Sequence, residues 1–590
     1  MRILFLFFLL TSAGFSQTNT YTISFENAGH HEANVKVTFP YLKQDSLSVR
    51  MSRTSPGRYA LHEFAKNVYG VKATNSKGEK LEIIRPDPYS WTITDHDGTV
   101  NLEYILFGNR ADGTYTQIDE NHAHLNIPAT FMYSEALKKR PVEVTFDTQA
   151  HPTWKIATQL KQLEGNKYYA PDLYYFMDSP TEISDFDSRE FEIDGEEIKF
   201  ILHHPGTEQE FDEYWEQVKE IVRQQKAIFG ELPEFDFGEY TFLACYMPNV
   251  SGDGMEHRNS TVLTDVTSLG EGGMKENIGT VAHEFFHAWN VERIRPESLE
   301  PFDFTEANMS GLLWFAEGFT SYYTGVTLAR AGILTPEEYV KSLNGTFNYV
   351  WNSPAREFFN PVEMSYQAPF VDAAASIDPV NRENTFISYY SYGSMLGLAL
   401  DLQLRQKGQN LDEFMKLVWE TYGETEIPYD IEDLERALST YAGKEFAKSY
   451  FNDYIYSSKM PDYEKLFAHV GLQIKRGAKN AFFGASVRTD DDGFYISGNP
   501  YKGSPAYTSG LSEGDQIISL SGIVLEKDHS WKDKFSKFNP QDTITLEIER
   551  FGRKMKKTVM LEKDPAYTIS IDPKATAKAV KEREAWLSKK

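Results

Sequence analysis

Only one cysteine, Cys245, occurs in 590 residues. No internal disulfide is therefore possible, and packing together with any bound metal must hold the chain. Long hydrophobic runs are missing too. Ile3 to Leu10 is a run of eight apolar residues, and no later run reaches the roughly 20 that a spanning helix needs. Basic residues are scarce: 60 Lys and Arg against 86 Asp and Glu leave a formal charge of −26. A surface so acidic repels nucleic-acid phosphates, which argues against that class of partner. Repeats of roughly 20–50 residues and low-complexity tracts are also absent.

What is present describes an ordered globular chain. Hydrophobic residues make up 41% and aromatic residues 14%, enough to build several cores, and the length fits about three to five domains. The start reads Met1-Arg2, then the short apolar run, then the small residues Gly14 and Ser16 before Gln17. That order spells a secretory signal peptide over residues 1–16, cleaved near Ser16, with export to the periplasm or the exterior.

From Tyr21 to about Phe200, alternating segments such as Val35-Lys-Val-Thr-Phe39 predict strands, punctuated by Gly, Pro, Asn and Asp. Residues 17–200 are therefore expected to form an antiparallel β-rich domain. His122 and His124 share one face of a predicted strand there; the spacing suits a metal pair, but a surface or hydrogen-bonded pair is the ordinary case. Glu208–Phe229 carries a helical apolar stripe, and Tyr240–Met247 reads as a strand. Thr335-Pro-Glu-Glu338 is a helix start with its capping residue, N1 proline and acidic first turn. Helical periods follow over 394–407, 411–422, 431–441 and 445–457, so a strand-to-helix domain is expected over 201–460. Strands return past Lys475, giving a further domain over 475–565 and a charged helical tail over 566–590.

The chemistry concentrates in His283-Glu-Phe-Phe-His287. Histidines four residues apart lie on one helix face and can hold one metal ion. Glu284, between them, is placed to take a proton from a water at that metal. The rest of this helix is apolar, so it is buried, and unpartnered histidines and a carboxylate would be costly there. A catalytic zinc usually takes three protein ligands. Glu306 sits in a polar segment where a solvated carboxylate is expected. Glu317 stands alone in the apolar run Trp314-Phe-Ala-Glu-Gly318 and needs a partner, which favours it as third ligand.

The strings HEFFHAWNVERIRP and LLWFAEGFTSYY resemble the glycyl aminopeptidase family of zinc metallopeptidases, which is similar to the larger membrane-alanyl-aminopeptidase group. The resemblance implies a multidomain α+β chain: an N-terminal β-rich domain, a thermolysin-like, mainly helical zinc metallopeptidase domain and a C-terminal PDZ domain. It implies one zinc per chain on His283, His287 and Glu317, with Glu284 as general base. In the alanyl group the ligand glutamate stands nineteen residues past the second histidine, which would select Glu306; the surrounding context is at Glu317, which implies an insertion.

Three further sites are implied in the same way. Tyr389-Tyr-Ser-Tyr-Gly393, placed just before a helix, resembles the related group's Tyr-Glu-Lys-Gly motif, whose tyrosine donates to the oxyanion. Alignment on the glycine selects Tyr390, with Tyr389 and Tyr392 as the alternatives. Gly254, Met255 and Glu256 resemble the Gly-x-Met-Glu-Asn strand that lines the substrate cleft, with Glu256 pairing the free α-ammonium. The segment from Ser504 to Gly522 resembles a PDZ core. Phe482, Phe483, Gly484 and Ala485 would be its carboxylate-binding loop, although the string departs from the Gly-Leu-Gly-Phe form. The expected function is an exported zinc aminopeptidase acting on N-terminal Gly or Ala of peptides. The alternatives are a zinc endopeptidase and a PDZ-mediated peptide-binding scaffold with a structural metal.

Overall fold

A computed structural model describes residues 17–371, 380–477 and 479–590; the expected signal peptide lies outside them. The N-terminal unit is built on a seven-stranded sheet that includes Asn19–Asn27, Glu32–Phe39, Val68–Thr74, Val100–Phe107 and Val142–Asp147. Val35, Val37 and Phe39 point inward between Asn34 and Lys36, which are exposed, the period-two signature of a half-buried strand. Pairing in this sheet is antiparallel except between Asn19–Asn27 and Val142–Asp147, which run parallel. A four-stranded sheet containing His122–Leu125 and Thr181–Ser184, and a three-stranded one of Ser46–Arg50, Ser90–Thr94 and Ile83–Asp87, belong to the same unit.

The boundary expected at residue 200 is corrected by the central sheet. It would cut the strand Glu196–His203, which pairs with Asp187–Ile193 on one side and Glu239–Tyr246 on the other. Asp194 and Gly195, both with positive φ, form the tight turn joining the first two strands. A hairpin of that kind belongs to one folding unit, so the central unit begins at about Asp187. Its remaining strands are Ser260–Asp265, parallel to Glu239–Tyr246, and Asp253–His257, the antiparallel edge.

Helices cover this sheet. Glu208–Phe229 starts with a reciprocal Thr207–Glu210 capping box and stops at Gly230, whose left-handed backbone needs no Cβ. Ile278–Phe286 lies against it, with Gln225 Nε2 donating to the Ala282 carbonyl. Leu313–Arg330 and Tyr389–Gln406 cross at Gly318 and Gly393, where a Cβ on either glycine would collide with the backbone of the other helix. Tyr389, Tyr390 and Tyr392 therefore lie inside the first turns of a helix, not ahead of it as the sequence suggested.

Two more boundaries move. Tyr463 and Phe467, past the expected end at 460, are buried in the central core. The final segment is no solvated tail: Tyr567–Ile571 pairs with Leu472–Arg476, and Asn344 and Asn348 of the helix Pro336–Trp351 clamp its backbone. The last helix, Ala577–Leu587, buries Trp586 and Leu587. Trp586 Nε1 donates to the Tyr322 hydroxyl at 2.9 Å, and Arg330 Nε donates to the Trp586 carbonyl. The C-terminal unit is thus a six-stranded sheet inserted between two paired strands. Among the described residues, no helix is long and apolar enough to cross a membrane.

Because Trp586 fills the central core, Trp586→Ala should lower unfolding free energy by about 3–5 kcal/mol, read as an earlier denaturant midpoint. A midpoint unchanged from the parent would mean the last helix is detached in solution.

Candidate metal centre

Ile278–Phe286 is a nine-residue helix whose last turn carries His283 and leaves His287 at its C-cap. Their Nε2 atoms are 3.2 Å apart. Glu317, in the second turn of Leu313–Arg330, brings Oε2 to 3.6 Å from His283 Nε2 and 3.2 Å from His287 Nε2. A zinc with ligands at about 2.0–2.2 Å draws three such atoms into a triangle with edges of roughly 3.3 Å. The three side chains fit that requirement. Glu317 Oε2 is buried and, among the described residues, makes no hydrogen bond of its own. Glu306, by contrast, is exposed on the loop before this helix and belongs to no such cluster among the described residues.

The other side of each ligand is occupied, which fixes its orientation. His287 Nδ1 donates to the Asn290 carbonyl at 2.6 Å. Asn290 in turn donates to the carbonyls of Phe315 and Ala316, tying the end of one helix to the start of the other. His283 Nδ1 meets Thr324 Oγ1, whose own proton goes to the Thr320 carbonyl. With both Nδ1 atoms donating, both Nε2 atoms face the common centre, and each offers it a lone pair when the ring is neutral. The Tyr59 hydroxyl, from the N-terminal unit, donates to Glu317 Oε1 at 2.7 Å.

Electrostatics follow from burial. Glu284 is driven well above the usual carboxylate range by loss of solvent, with Glu256 and Glu317 nearby adding to the effect. Burial raises Glu256 as well. His287 would lose its proton to burial alone, yet the Glu317 and Glu256 carboxylates outweigh that and push it up to about 10. Glu317 is held low by the two histidines against the same burial. The group is short of positive charge.

These residues open into a cavity of about 370 Å³. Its walls include Gly254 and Glu256 from the edge strand, Thr280 and Glu284 from the helix Ile278–Phe286, and Tyr390. A Cβ at Gly254 would collide with Glu284 Oε1, so the strand approaches the carboxylate closely only as glycine. Met255 is buried beside Gly57. Of the three tyrosines, Tyr390 lines the cavity with its ring 5.8 Å from that of His283. Tyr389 and Tyr392 are buried, the first against Tyr59 and the second against Trp351.

Sequence reasoning missed the residues that reach this site from the N-terminal unit. Arg58 lines the cavity and pairs with Asp253, and Tyr59 holds Glu317. Ser55-Pro-Gly-Arg-Tyr59 reads locally as a turn, and nothing within it points to a glutamate 258 positions away. Phe482 to Ala485 lie in the C-terminal unit, where Phe483 is buried against Trp531 and Phe535. His122 and His124 are both buried, not superficial, and both face Glu182.

A model of the Peptidase M61 N-terminal domain matches residues 20–185, and one of the M61 glycyl aminopeptidase domain matches 276–396. The chain belongs to the M61 glycyl aminopeptidase family. An aminopeptidase N family protein from Idiomarina loihiensis has a solved structure with a TM-score of 0.85 at 23% identity, covering 97% of this chain and 100% of that one. That likeness is one of fold. An M1 zinc metallopeptidase from Deinococcus radiodurans is similar at 12% identity over 74% of this chain and 92% of that one, with a TM-score of 0.42, too low to carry an argument. No curated protein matches. This M61 chain is a metallopeptidase, and the match from residue 276 spans the two histidines, Glu317 and Tyr390.

Tyr59→Phe removes the donor to Glu317 Oε1 and leaves that oxygen unpaired. Metal affinity should fall roughly 10–100-fold, the scale for losing a group that orients a ligand, as measured by chelator competition. Unchanged affinity would show that Tyr59 plays no part in holding the ligand.

Proposed function

We propose that this peptidase is an exported zinc aminopeptidase that removes small N-terminal residues, Gly or Ala, from peptides. The observation that carries the reading is the meeting of Glu256 and Glu284 with His287 inside the cavity: one ligand atom from each lies within 4.8 Å of the others. His283, His287 and Glu317 would hold the zinc, which supplies Lewis-acid polarisation of the scissile carbonyl and eases deprotonation of water. Glu284 takes the proton of the attacking water and passes it to the leaving amine, a task suited to a carboxylate raised by burial. Tyr390 donates a hydrogen bond to the oxyanion. Glu256 receives the α-ammonium of the substrate, a charge-assisted pair in a partly dry site.

The exopeptidase form of the reading draws on what closes the cleft. Gly57 and Arg58 of the N-terminal unit stand beside Glu256 on the cavity wall. A Cβ at Gly57 would come within 2.9 Å of Glu256 Oε2, so little room is left beyond the ammonium for more peptide. The preference for Gly and Ala rests on the family and suits a cavity of about 370 Å³.

Two finer assignments belong to the same proposal. The C-terminal unit is read as a PDZ domain with Phe482 to Ala485 as its carboxylate loop. In support, Ser486–Asp490, directly after the loop, is an edge strand open to addition of a peptide strand. Residues 1–16 are read as a cleaved signal peptide, which N-terminal sequencing of the mature chain would test.

Glu284→Gln keeps the shape of the cavity but removes the base. Hydrolysis of aminoacyl-nitroanilides should collapse while zinc content stays normal, and chelator should abolish the activity of the parent. Tyr390→Phe should lower kcat by about 10²-fold or more; a near-neutral effect there would remove Tyr390 from the mechanism.

Blocking the substrate amine tests Glu256. N-acetylated peptides should be poor substrates, and Glu256→Gln should weaken turnover of free-amine peptides far more than it alters metal content. Internal cleavage of N-acetylated peptides as fast as trimming of free ones would replace this reading with an endopeptidase.

A further inference from the structure

A second convergence of ligand-type side chains lies away from the cavity, where the sheet of the N-terminal unit meets the central sheet. His122 Nδ1 is 3.2 Å from Glu182 Oε1 and 3.8 Å from Cys245 Sγ. His203 Nδ1 is 3.7 Å from the same oxygen and 3.6 Å from the same sulfur. All four ligand atoms lie within 4.8 Å of one another, and all four residues are buried. We propose that His122, Glu182, His203 and Cys245 bind a second zinc ion, in a closed four-ligand site that staples the N-terminal unit to the central sheet.

The spacing is the first argument. Tetrahedral zinc with Zn–S near 2.3 Å and Zn–N and Zn–O near 2.0–2.1 Å sets S···N edges of about 3.6 Å and N···O edges of about 3.3 Å. The four measured edges fall within a few tenths of an ångström of those values, save the His203–Glu182 edge, which is slightly longer. Hydrogen bonding alone would pair the groups off. Here the Nδ1 atoms of both rings face the same sulfur and the same carboxylate oxygen, so all four atoms surround one point.

Donor chemistry is the second argument. A thiolate, two imidazoles and a carboxylate form a zinc set, and four protein ligands leave no open position, which is the form of a structural site. All four side chains are buried, so water does not compete for the donor atoms. On binding a dication the thiol releases its proton to solvent.

Supporting groups stand behind the ligands. His122 Nε2, turned away from the centre, faces Asp119 Oδ2 at 3.5 Å. Glu182 Oε2, likewise turned away, bonds His124 Nδ1 at 3.0 Å, and His124 Nε2 meets the Asp112 carbonyl. Such outer partners fix ligand orientation at metal sites.

The topology supplies the third argument. His122 and Glu182 sit on adjacent antiparallel strands of the N-terminal unit. His203 and Cys245 are direct partners on adjacent parallel strands of the central sheet. Two ligands from each sheet make the ion a cross-link, in a chain whose one cysteine permits no disulfide.

Metal counting by mass spectrometry on the purified full chain tests this. The parent should carry two zinc ions per chain, and His283→Ala/His287→Ala should retain one. Cobalt exchanged into that double variant should show a sulfur-to-cobalt charge-transfer band in the near ultraviolet, lost on adding Cys245→Ser. Should Cys245→Ser fail to fold, the metal count and cobalt spectrum of the double variant decide the question alone. One zinc in the parent and none in the double variant would overturn the second site and leave the first intact. A single zinc in the parent that the double variant retains would support the second site and remove the first. A cobalt spectrum without the thiolate band, or purified protein holding copper with strong visible absorption, would overturn the assignment of zinc on Cys245.

Discussion

The arrangement of the central unit depends on one electrostatic constraint: three carboxylates are buried around two histidines. Glu256, Glu284 and Glu317 are each 6% exposed or less. Two like charges about 4–5 Å apart repel by roughly 3–4 kcal/mol at an effective dielectric near 20. One protonated histidine, His287, offsets a single carboxylate. The rest of the deficit is met by neutralising Glu284 or by bringing in a cation at the point where the Nε2 lone pairs converge. The second course leaves the Glu284 carboxylate ionised, so a cation at that point would relieve the crowding and keep Glu284 able to accept a proton.

Close approach is what makes such crowding possible. The edge strand comes up to Glu284 only because residue 254 is glycine, and the helices bearing Glu317 and Tyr390 meet only because Gly318 and Gly393 face each other. The N-terminal unit then seals the arrangement. Tyr59 supplies a hydrogen bond that Glu317 would otherwise lack, and Arg58 pairs with Asp253 on the edge strand. The contact is reciprocal, because Phe304 of the central unit is buried in the N-terminal core and its carbonyl accepts from Ser52 and Arg53. Neither unit completes the cavity by itself.

What could be read from the sequence was whatever lay within one or two turns of helix. His283, Glu284 and His287 share a single turn, and Glu317 betrayed itself as a lone charge in an apolar run. The helix Glu208–Phe229 was legible from its apolar stripe. Tyr390 was separable from Tyr389 and Tyr392 only in three dimensions, since successive residues of a helix turn about 100° and point to different neighbours. Tyr59, Arg58 and the Cys245 cluster left no trace in local patterning, because each of their contacts is made between strands distant in the chain. The domain limits erred for a related reason: composition marks where a strand-rich stretch ends, whereas sheet membership is decided by pairing, and the pairing of Asp187–Ile193 with Glu196–His203 is set by a turn at Asp194 and Gly195.

The same distinction governs the C-terminal unit. Read along the chain, it looks like a module hung on a linker and followed by a tail. In space it is an insertion whose two ends, Leu472–Arg476 and Tyr567–Ile571, pair with each other, and whose exit strand is clamped to the helix Pro336–Trp351 by two asparagines. A third asparagine, Asn384, donates to the Pro500 carbonyl and accepts from Lys502 N, six residues ahead of Tyr390. A unit held by paired strands at its base and by backbone hydrogen bonds at its flank does not swing as a tethered domain would. Its orientation is set by the central unit, and the segment leading into the tyrosine helix is in turn held by it.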